Sequence, residues 1–226
     1  MATVNEKRWV QYLAFKTDAA WRRLNDDERA RGYAEFTREV EGAEEIATHV
    51  YSTLGLKRDA DLFLWRMSDR LDRLQESASR LLLTGLGRYL EISHAMTGLV
   101  RPSVYVRKQS EQEQAIYEQT RQRYLVVYPF TKTTDWYLLG KDMRQEMMNA
   151  HIRIGHQYPM VRQLLVYSTG LDDQEFIVAY ETDDLNAFQE LVIALRNTEA
   201  RRYTLRDTPT FTCIYRPLAE TLALLG

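Results

Sequence analysis

The sequence predicts an α+β protein made of two ferredoxin-like halves, each with the element order β-α-β-β-α-β. Short segments that alternate and are rich in aromatic and β-branched residues predict strands, and amphipathic runs between them predict helices. This order occurs twice along the 226 residues. The tetrapeptide V-Y-S-T also occurs twice, at 50–53 and 166–169. The matching order favours an internal duplication, in which the two halves together bury a sheet face that neither covers alone.

The predicted elements follow the chain in order. In the first half, strands are expected at 9–15, 49–53, 61–67 and 89–99, and helices at 27–41 and 71–83. Asn25 or Asp26 is the expected cap of the first helix. In the second half, strands are expected at 124–130, 161–167, 175–180 and 210–215, and helices at 142–154 and 185–196. A polar, Glu/Gln-rich connection at 109–122 separates the halves, so the predicted domains are 1–108 and 120–226.

Composition excludes several classes of protein. A net charge of -2 with scattered basic residues gives no electrostatic case for binding nucleic acid or an anionic membrane. No apolar run reaches the roughly 18 residues of a membrane span, and the N-terminus lacks a hydrophobic signal region. The single cysteine, Cys213, excludes an internal disulfide and a cysteine-rich metal site. The expected location is the cytoplasm.

Four histidines are the candidate metal ligands. His49 and His94 fall on predicted strands, where structural roles are favoured. His151 lies near the end of an amphipathic helix, and His156 follows it. No pair has the spacing of a helical zinc motif. By spacing alone, His151 is more often a capping or packed residue than a ligand.

Two further groups of residues bear on a possible site. Tyr128 and Lys132 lie four residues apart on a predicted strand, which places a phenol and an ammonium on one face. Glu199, at the end of the last helix, is a candidate acceptor for the second ring nitrogen of a ligating histidine. Nucleotide-binding glycine motifs and the G-x-S-x-G nucleophile motif do not occur. The acidic pairs at 172–173 and 183–184 are explained by a turn and a helix cap.

The second half resembles the chlorite dismutase-like superfamily of haem proteins, which includes chlorite dismutases and coproheme decarboxylases. The resemblance is carried by Y-P-F-T-K (128–132), D-W-Y (135–137), M-M-N-A-H (147–151), G-H-Q-Y (155–158), S-T-G-L-D-D-Q-E-F (168–176) and R-N-T-E-A-R-R-Y (196–203). It implies a tandem ferredoxin-like barrel (the dimeric α/β barrel) with antiparallel sheets, helices outside and haem in the C-terminal half only. It also implies assembly as a homopentamer.

The resemblance assigns roles to individual residues. His151 matches the proximal iron ligand, with His156 as the alternative. Glu199 matches the carboxylate that hydrogen-bonds this histidine, and Lys132 the lysine near it. Tyr128 matches the tyrosine that, in coproheme decarboxylases, is oxidised to a radical and takes hydrogen from a propionate.

The distal residue distinguishes the reactions within the superfamily. Chlorite dismutases place an arginine over the iron, and firmicute-type decarboxylases a glutamine. Counting back along the strand from the hairpin that begins at Ser168 places Gln163 at the distal position. A bulge in this strand would place Arg162 there instead. A shift of one residue exchanges the side chains that face inward. The hairpin fixes the register, which favours Gln163.

The expected function is therefore peroxide-dependent decarboxylation of coproheme to haem b through a tyrosyl radical at Tyr128. There are two alternatives. The protein is a chlorite dismutase if Arg162 is distal, or it is a non-catalytic haem-binding or sensing protein. The chain departs from the decarboxylase pattern, with D-D-Q-E-F in place of D-D-W-E-W and H-I in place of H-G. These departures are also compatible with a less characterised branch that has weak peroxidase activity.

Overall fold

A computed structural model describes residues 8–105 and 120–226. The elements, in chain order, are β1 (Arg8–Thr17), α1 (Asp26–Gly42), β2 (Ala47–Lys57), β3 (Ala60–Ser68), α2 (Leu71–Leu83), β4 (Leu90–Val100), β5 (Tyr124–Lys132), α3 (Thr134–Leu138), α4 (Lys141–Gly155), β6 (Arg162–Tyr167), β7 (Phe176–Thr182), α5 (Leu185–Arg196), β8 (Thr204–Arg206), β9 (Phe211–Tyr215) and α6 (Leu218–Ala223). The chain divides into two units. Unit 1 comprises Met1–Val100 and Thr212–Gly226, and unit 2 comprises Arg101–Phe211.

Unit 1 contains an antiparallel sheet in the order β4-β1-β3-β2, the strand order of a ferredoxin-like unit. Its helices pack on one face of that sheet over a large apolar core, which includes Trp21, Phe36 and Leu81. Asn25 caps α1 in a capping box with Glu28, as its position before the apolar period predicted.

Unit 2 contains the antiparallel order β6-β7-β5-β8. Helices α4 and α5 contact each other and contribute Ile154, Leu191 and Leu195 to one cluster with residues of the sheet. Asp184 caps α5 by accepting hydrogen bonds from two backbone amides of its first turn. The β-α-β-β-α-β order predicted for each half is therefore present in each unit.

The end of the chain differs from its predicted organisation. The strand expected at 210–215 is present as β9, but its Ile214 and Tyr215 pair with β2 of unit 1. Within unit 2, the short strand β8 pairs with β5. Residues 212–226, expected in the second half, accordingly lie in unit 1. Most of the predicted polar connection at 109–122 lies outside the described residues.

Candidate active site

The two faces of the unit 2 sheet are covered to different extents. On one face, Thr131 and Arg162 are partly buried and the other residues of the three long strands are buried: Leu125, Val127, Pro129, Leu164, Val166, Ile177, Ala179 and Glu181. On the other face, apart from Tyr124 at the start of β5, seven residues are only partly buried: Tyr128, Phe130, Gln163, Leu165, Tyr167, Phe176 and Val178. We call these seven residues the open face. Strand register places them together, because Tyr128 and Leu165 both pair with Val178 and Tyr167 pairs with Phe176.

Helix α4 lies over the open face. Ile154, near its end, packs in the same cluster as Tyr128 and Val178. The helix also carries Met147 and Met148, yet none of its residues is fully buried. An apolar helix side and an apolar sheet face that both stay partly uncovered indicate an apolar cleft between them.

His151 lies on α4 and is largely buried. Burial lowers its pKa to about 4, and the nearby Lys132 ammonium acts in the same direction. At neutral pH the imidazole is therefore uncharged and has a nitrogen lone pair for a metal ion. His156, by contrast, is exposed at the C-cap of α4.

Lys132 is a buried cation beside this histidine. Its ammonium donates to the Ala200 carbonyl at 3.3 Å and lies 4.0 Å from the centre of the Trp136 ring. Its backbone amide donates to Glu175 at 2.6 Å. Burial lowers the pKa of Lys132 to about 8, although the Glu175 carboxylate opposes this. The cation is therefore held by an aromatic ring and a carbonyl.

Tyr128 pairs with a second phenol. The ring centres of Tyr128 and Tyr180 are 6.1 Å apart, and a hydrogen bond joins their hydroxyl groups. Burial, with the Tyr180 phenol next to it, raises the pKa of Tyr128 well above its ordinary value. Tyr128 therefore stays protonated, and Tyr180 offers its hydroxyl a partner inside the protein.

Gln163 and Arg162 point to opposite faces of the sheet. Gln163 pairs with Tyr180, which places it on the same face as Tyr128. Arg162 pairs with Glu181 on the other face, and its guanidinium donates to the Thr120 carbonyl at 2.9 Å. The regular alternation of β6 contains no bulge in this register, so the amide rather than the guanidinium faces α4.

Glu199 begins a short 3-10 helix, Glu199–Tyr203, which contacts α4. Its side chain is 65% exposed and pairs with Arg202 at 3.5 Å. The hydrogen bond to His151 that the sequence suggested for Glu199 stays a prediction.

Two aromatic residues at the site were not singled out from the sequence. Tyr180 is the partner of Tyr128, and Trp136 packs on Lys132. Strand alternation, applied to β7 opposite Gln163, would have identified Tyr180. Trp136 lies in α3, a five-residue helix without a periodic pattern that could show which side chain turns inward.

These residues fit an iron porphyrin. Such a group has a flat apolar ring, a metal centre that accepts an imidazole nitrogen, and carboxylates at its edge. The cleft offers a partly uncovered apolar wall and a neutral histidine opposite it. Within residues 8–105 and 120–226, no three His, Cys, Asp or Glu side chains come together as a metal-binding group. In the same residues, no helix is both long and apolar enough to cross a membrane.

Comparison with known proteins supports the same assignment. The family model described as chlorite dismutase matches residues 27–216. A coproheme decarboxylase of Mycolicibacterium smegmatis is 30% identical over 207 residues, which covers 90% of this chain and 89% of that protein.

Solved structures agree with this match. A mutant chlorite dismutase from Candidatus Nitrospira defluvii superposes with a TM-score of 0.90 at 30% identity, covering 96% of this chain and 95% of the other. The imidazole complex of the chlorite dismutase from that organism gives a TM-score of 0.87 at 28% identity, covering 96% and 94%. The similarity confirms the predicted α+β fold class. This chain belongs to the chlorite dismutase family.

Proposed function

We propose that the protein is a coproheme decarboxylase, which uses peroxide to convert coproheme to haem b by oxidative loss of two carboxyl groups as CO2. The observation that carries the proposal is the register of the open face. It presents Tyr128 and Gln163 toward the helix that bears His151, and turns Arg162 away. The relative from Mycolicibacterium smegmatis, which carries this name, supports the same reaction.

Each residue of the site has a role that follows from its position. His151 supplies the neutral imidazole that would hold the iron, and Lys132 supplies a positive charge near it. When bound, the iron porphyrin supplies the redox chemistry with peroxide. Gln163 offers a neutral amide that could hydrogen-bond peroxide. Unlike an arginine guanidinium, this amide carries no positive charge that would bind an oxyanion such as chlorite tightly.

Tyr128 would transfer the oxidation to the substrate. Its phenol loses an electron and a proton, and then takes a hydrogen atom from the β-carbon of a propionate. Further oxidation of that carbon releases CO2. The electron and the proton would be used in the reduction of peroxide to water, and the Tyr180 hydroxyl would hold the Tyr128 phenol in position. The Glu199 carboxylate, on the segment that contacts α4, is proposed to raise the basicity of His151 when iron is bound.

Chlorite dismutation is the second candidate. Chlorite dismutases are among the solved structures that superpose on this chain with TM-scores near 0.9. This reaction would use the same His151 site with chlorite as substrate. It is the weaker candidate, because a guanidinium that could hold an oxyanion is placed on the face away from α4.

The experiment adds peroxide in steps to the protein loaded with ferric coproporphyrin and follows the mass of the extracted porphyrin. Stepwise loss of two carboxyl groups is expected for the wild-type protein, and its abolition for Tyr128→Phe. Tyr124→Phe is the matched control, because this tyrosine lies on the same strand at its other end.

Other outcomes identify the alternatives. Bleaching of the porphyrin without a decarboxylated product would contradict the proposal. Oxygen evolution from chlorite by the haem-loaded protein would favour the second candidate. A tight complex without either reaction would indicate a haem-binding or sensing protein. By similarity we also propose a homopentamer, which sedimentation of the loaded protein would test.

A further inference from the structure

An aromatic cluster extends from the porphyrin site to the protein surface. Trp136 is only 3% exposed and lies under the Lys132 ammonium, which is itself beside His151. The Trp136 ring lies 6.4 Å from the ring centre of Tyr105, in an edge-on arrangement. Tyr137, the residue after Trp136, is 43% exposed, and its phenol is close enough to Tyr105 for the two to interact electrostatically. Three oxidisable rings thus connect the interior to solvent.

Tyr137 has a base at its hydroxyl group. Its phenol hydrogen-bonds to Glu175. That carboxylate also accepts the backbone amide of Lys132 at 2.6 Å, which fixes its position. A tyrosine loses its phenolic proton when it is oxidised, because the radical cation is a very strong acid. The Glu175 carboxylate beside this phenol therefore makes Tyr137 the ring of the cluster that is best suited to reversible oxidation at the surface.

We propose that Trp136, Tyr105 and Tyr137 form an electron relay, and that Tyr137 with Glu175 is a surface site where one-electron donors reduce the peroxide-treated protein. The inference rests on the proposed function only in requiring a bound iron porphyrin and peroxide. It adds a site for a second class of substrate, reducing molecules too large to enter the cleft.

The electrons and protons balance as follows. Tyr137 passes one electron along the relay while its O–H bond breaks and the proton moves to Glu175. An external donor then returns one electron to Tyr137, and Glu175 returns the proton. Two such cycles, with two protons from solvent, reduce one peroxide to two waters and oxidise two donor molecules by one electron each.

The first test maps the oxidised residue directly. The haem-loaded full-length protein is treated with peroxide and a nitroso spin trap, and the adduct is located by peptide mass spectrometry. The adduct is expected on Tyr137 in the wild-type protein and absent from that peptide in Tyr137→Phe. Tyr215→Phe is the matched control, because Tyr215 is a similarly exposed tyrosine, at 37%, in unit 1. An adduct that forms on Tyr215 as readily as on Tyr137 would overturn the proposal.

The second test measures peroxide-dependent oxidation of ferrocytochrome c, a donor of protein size. Tyr137→Phe is expected to slow this oxidation roughly tenfold, and Glu175→Gln to slow it while keeping the hydrogen bonds to Tyr137 and Lys132. An unchanged rate in both variants would overturn the proposal. The Soret band of each variant checks porphyrin binding, and the mass of the extracted porphyrin checks decarboxylation. Failure of the proposed function therefore shows as a missing decarboxylated product, and failure of the relay as an unchanged donor rate.

Discussion

At the scale of single residues, burial decides which forms His151 and Lys132 adopt. Both side chains are removed from water beside each other, and desolvation lowers both pKa values, to about 4 for His151 and about 8 for Lys132. The histidine is consequently kept neutral over the physiological range. A metal ligand needs this form, so the imidazole of the apoprotein already has the protonation state that the proposed iron ligation requires.

This pKa shift predicts an acid-sensitive apoprotein. The folded-state pKa of His151, about 4, lies below the ordinary value of 6.5, so the unfolded chain binds more protons between these pH values. The free energy of unfolding should fall as the pH drops from 6.5 to about 4, by up to about 3 kcal/mol from this residue. Denaturant unfolding of the apoprotein at several pH values measures it. His151→Gln should lose this component, and an identical pH profile in the variant would contradict the assignment.

The register of β6 gives a second prediction for single residues. Gln163→Arg should place a cation on the open face near Tyr128, whereas Arg162→Gln removes one from the opposite face. Binding of fluoride to the ferric-porphyrin complex should tighten about tenfold or more in Gln163→Arg, because a charge-assisted hydrogen bond contributes roughly 1.5–3 kcal/mol. Absorption titration measures the affinity. A tighter complex in Arg162→Gln, with no effect of Gln163→Arg, would show that the register is reversed.

The choice between Gln163 and Arg162 shows what the sequence could predict about single residues of the site. The hairpin beginning at Ser168 favoured Gln163, and the strand pairing places Gln163 on the face of Tyr128. Tyr180, the partner of Tyr128, could have been identified from strand alternation in β7 opposite Gln163. The packing of Trp136 on Lys132 could not, because it depends on how α3 turns back onto β5.

At the scale of elements, the length and the periodicity of a helix or strand determine whether the sequence could predict it. The long strands and the helices α1, α2, α4 and α5 occur where alternation or helical spacing predicted them. The short elements α3, α6 and β8 were not predicted, because five, six and three residues are too few to show a period. The assignment of β9 to unit 1 depends on long-range pairing with β2. Local pattern carries no information about such a pairing.

The N-cap of α5 gives a prediction at this scale. Asp184 accepts hydrogen bonds from the amides of Asn186 and Ala187 at 2.9 and 3.2 Å. Asp184→Ala should lower the free energy of unfolding by about 1 kcal/mol, because two amides of the first turn lose their acceptor. Glu190→Ala, on the exposed side of the same helix, should change it by less than about 0.5 kcal/mol. Chemical denaturation compares them, and equal effects would show that the cap contributes nothing.

At the scale of the whole molecule, the two units share one element order but differ in the side chains that fill the helix-covered side of the sheet. The helix-covered side of the unit 1 sheet is filled by large side chains, among them Trp21, Phe36 and Leu81, all nearly or fully buried. The corresponding side of unit 2 has the small cluster of Val161, Tyr180 and Leu191 and, beside it, the partly uncovered open face. One unit thus has a filled core on the helix-covered side of its sheet, and the other has an apolar sheet face that stays partly uncovered.

This difference predicts where a porphyrin changes the stability of the chain. Binding should slow amide hydrogen exchange in α4 and in β5, β6 and β7, because a ligand held between helix and sheet suppresses their local opening. The core of β1 and β3 should be unaffected. Hydrogen-exchange mass spectrometry with and without ferric coproporphyrin measures both. Protection concentrated in unit 1 would place the site in the wrong half.

The central claim is that the open face and α4 hold an iron porphyrin through His151. The most direct test is absorption titration of the apoprotein with ferric coproporphyrin, comparing the wild-type protein with His151→Ala and with His156→Ala. The shifted Soret band of an imidazole-ligated iron should form in the wild-type protein and in His156→Ala, and should be lost or altered in His151→Ala. The same band in His151→Ala as in the wild-type protein would contradict the account.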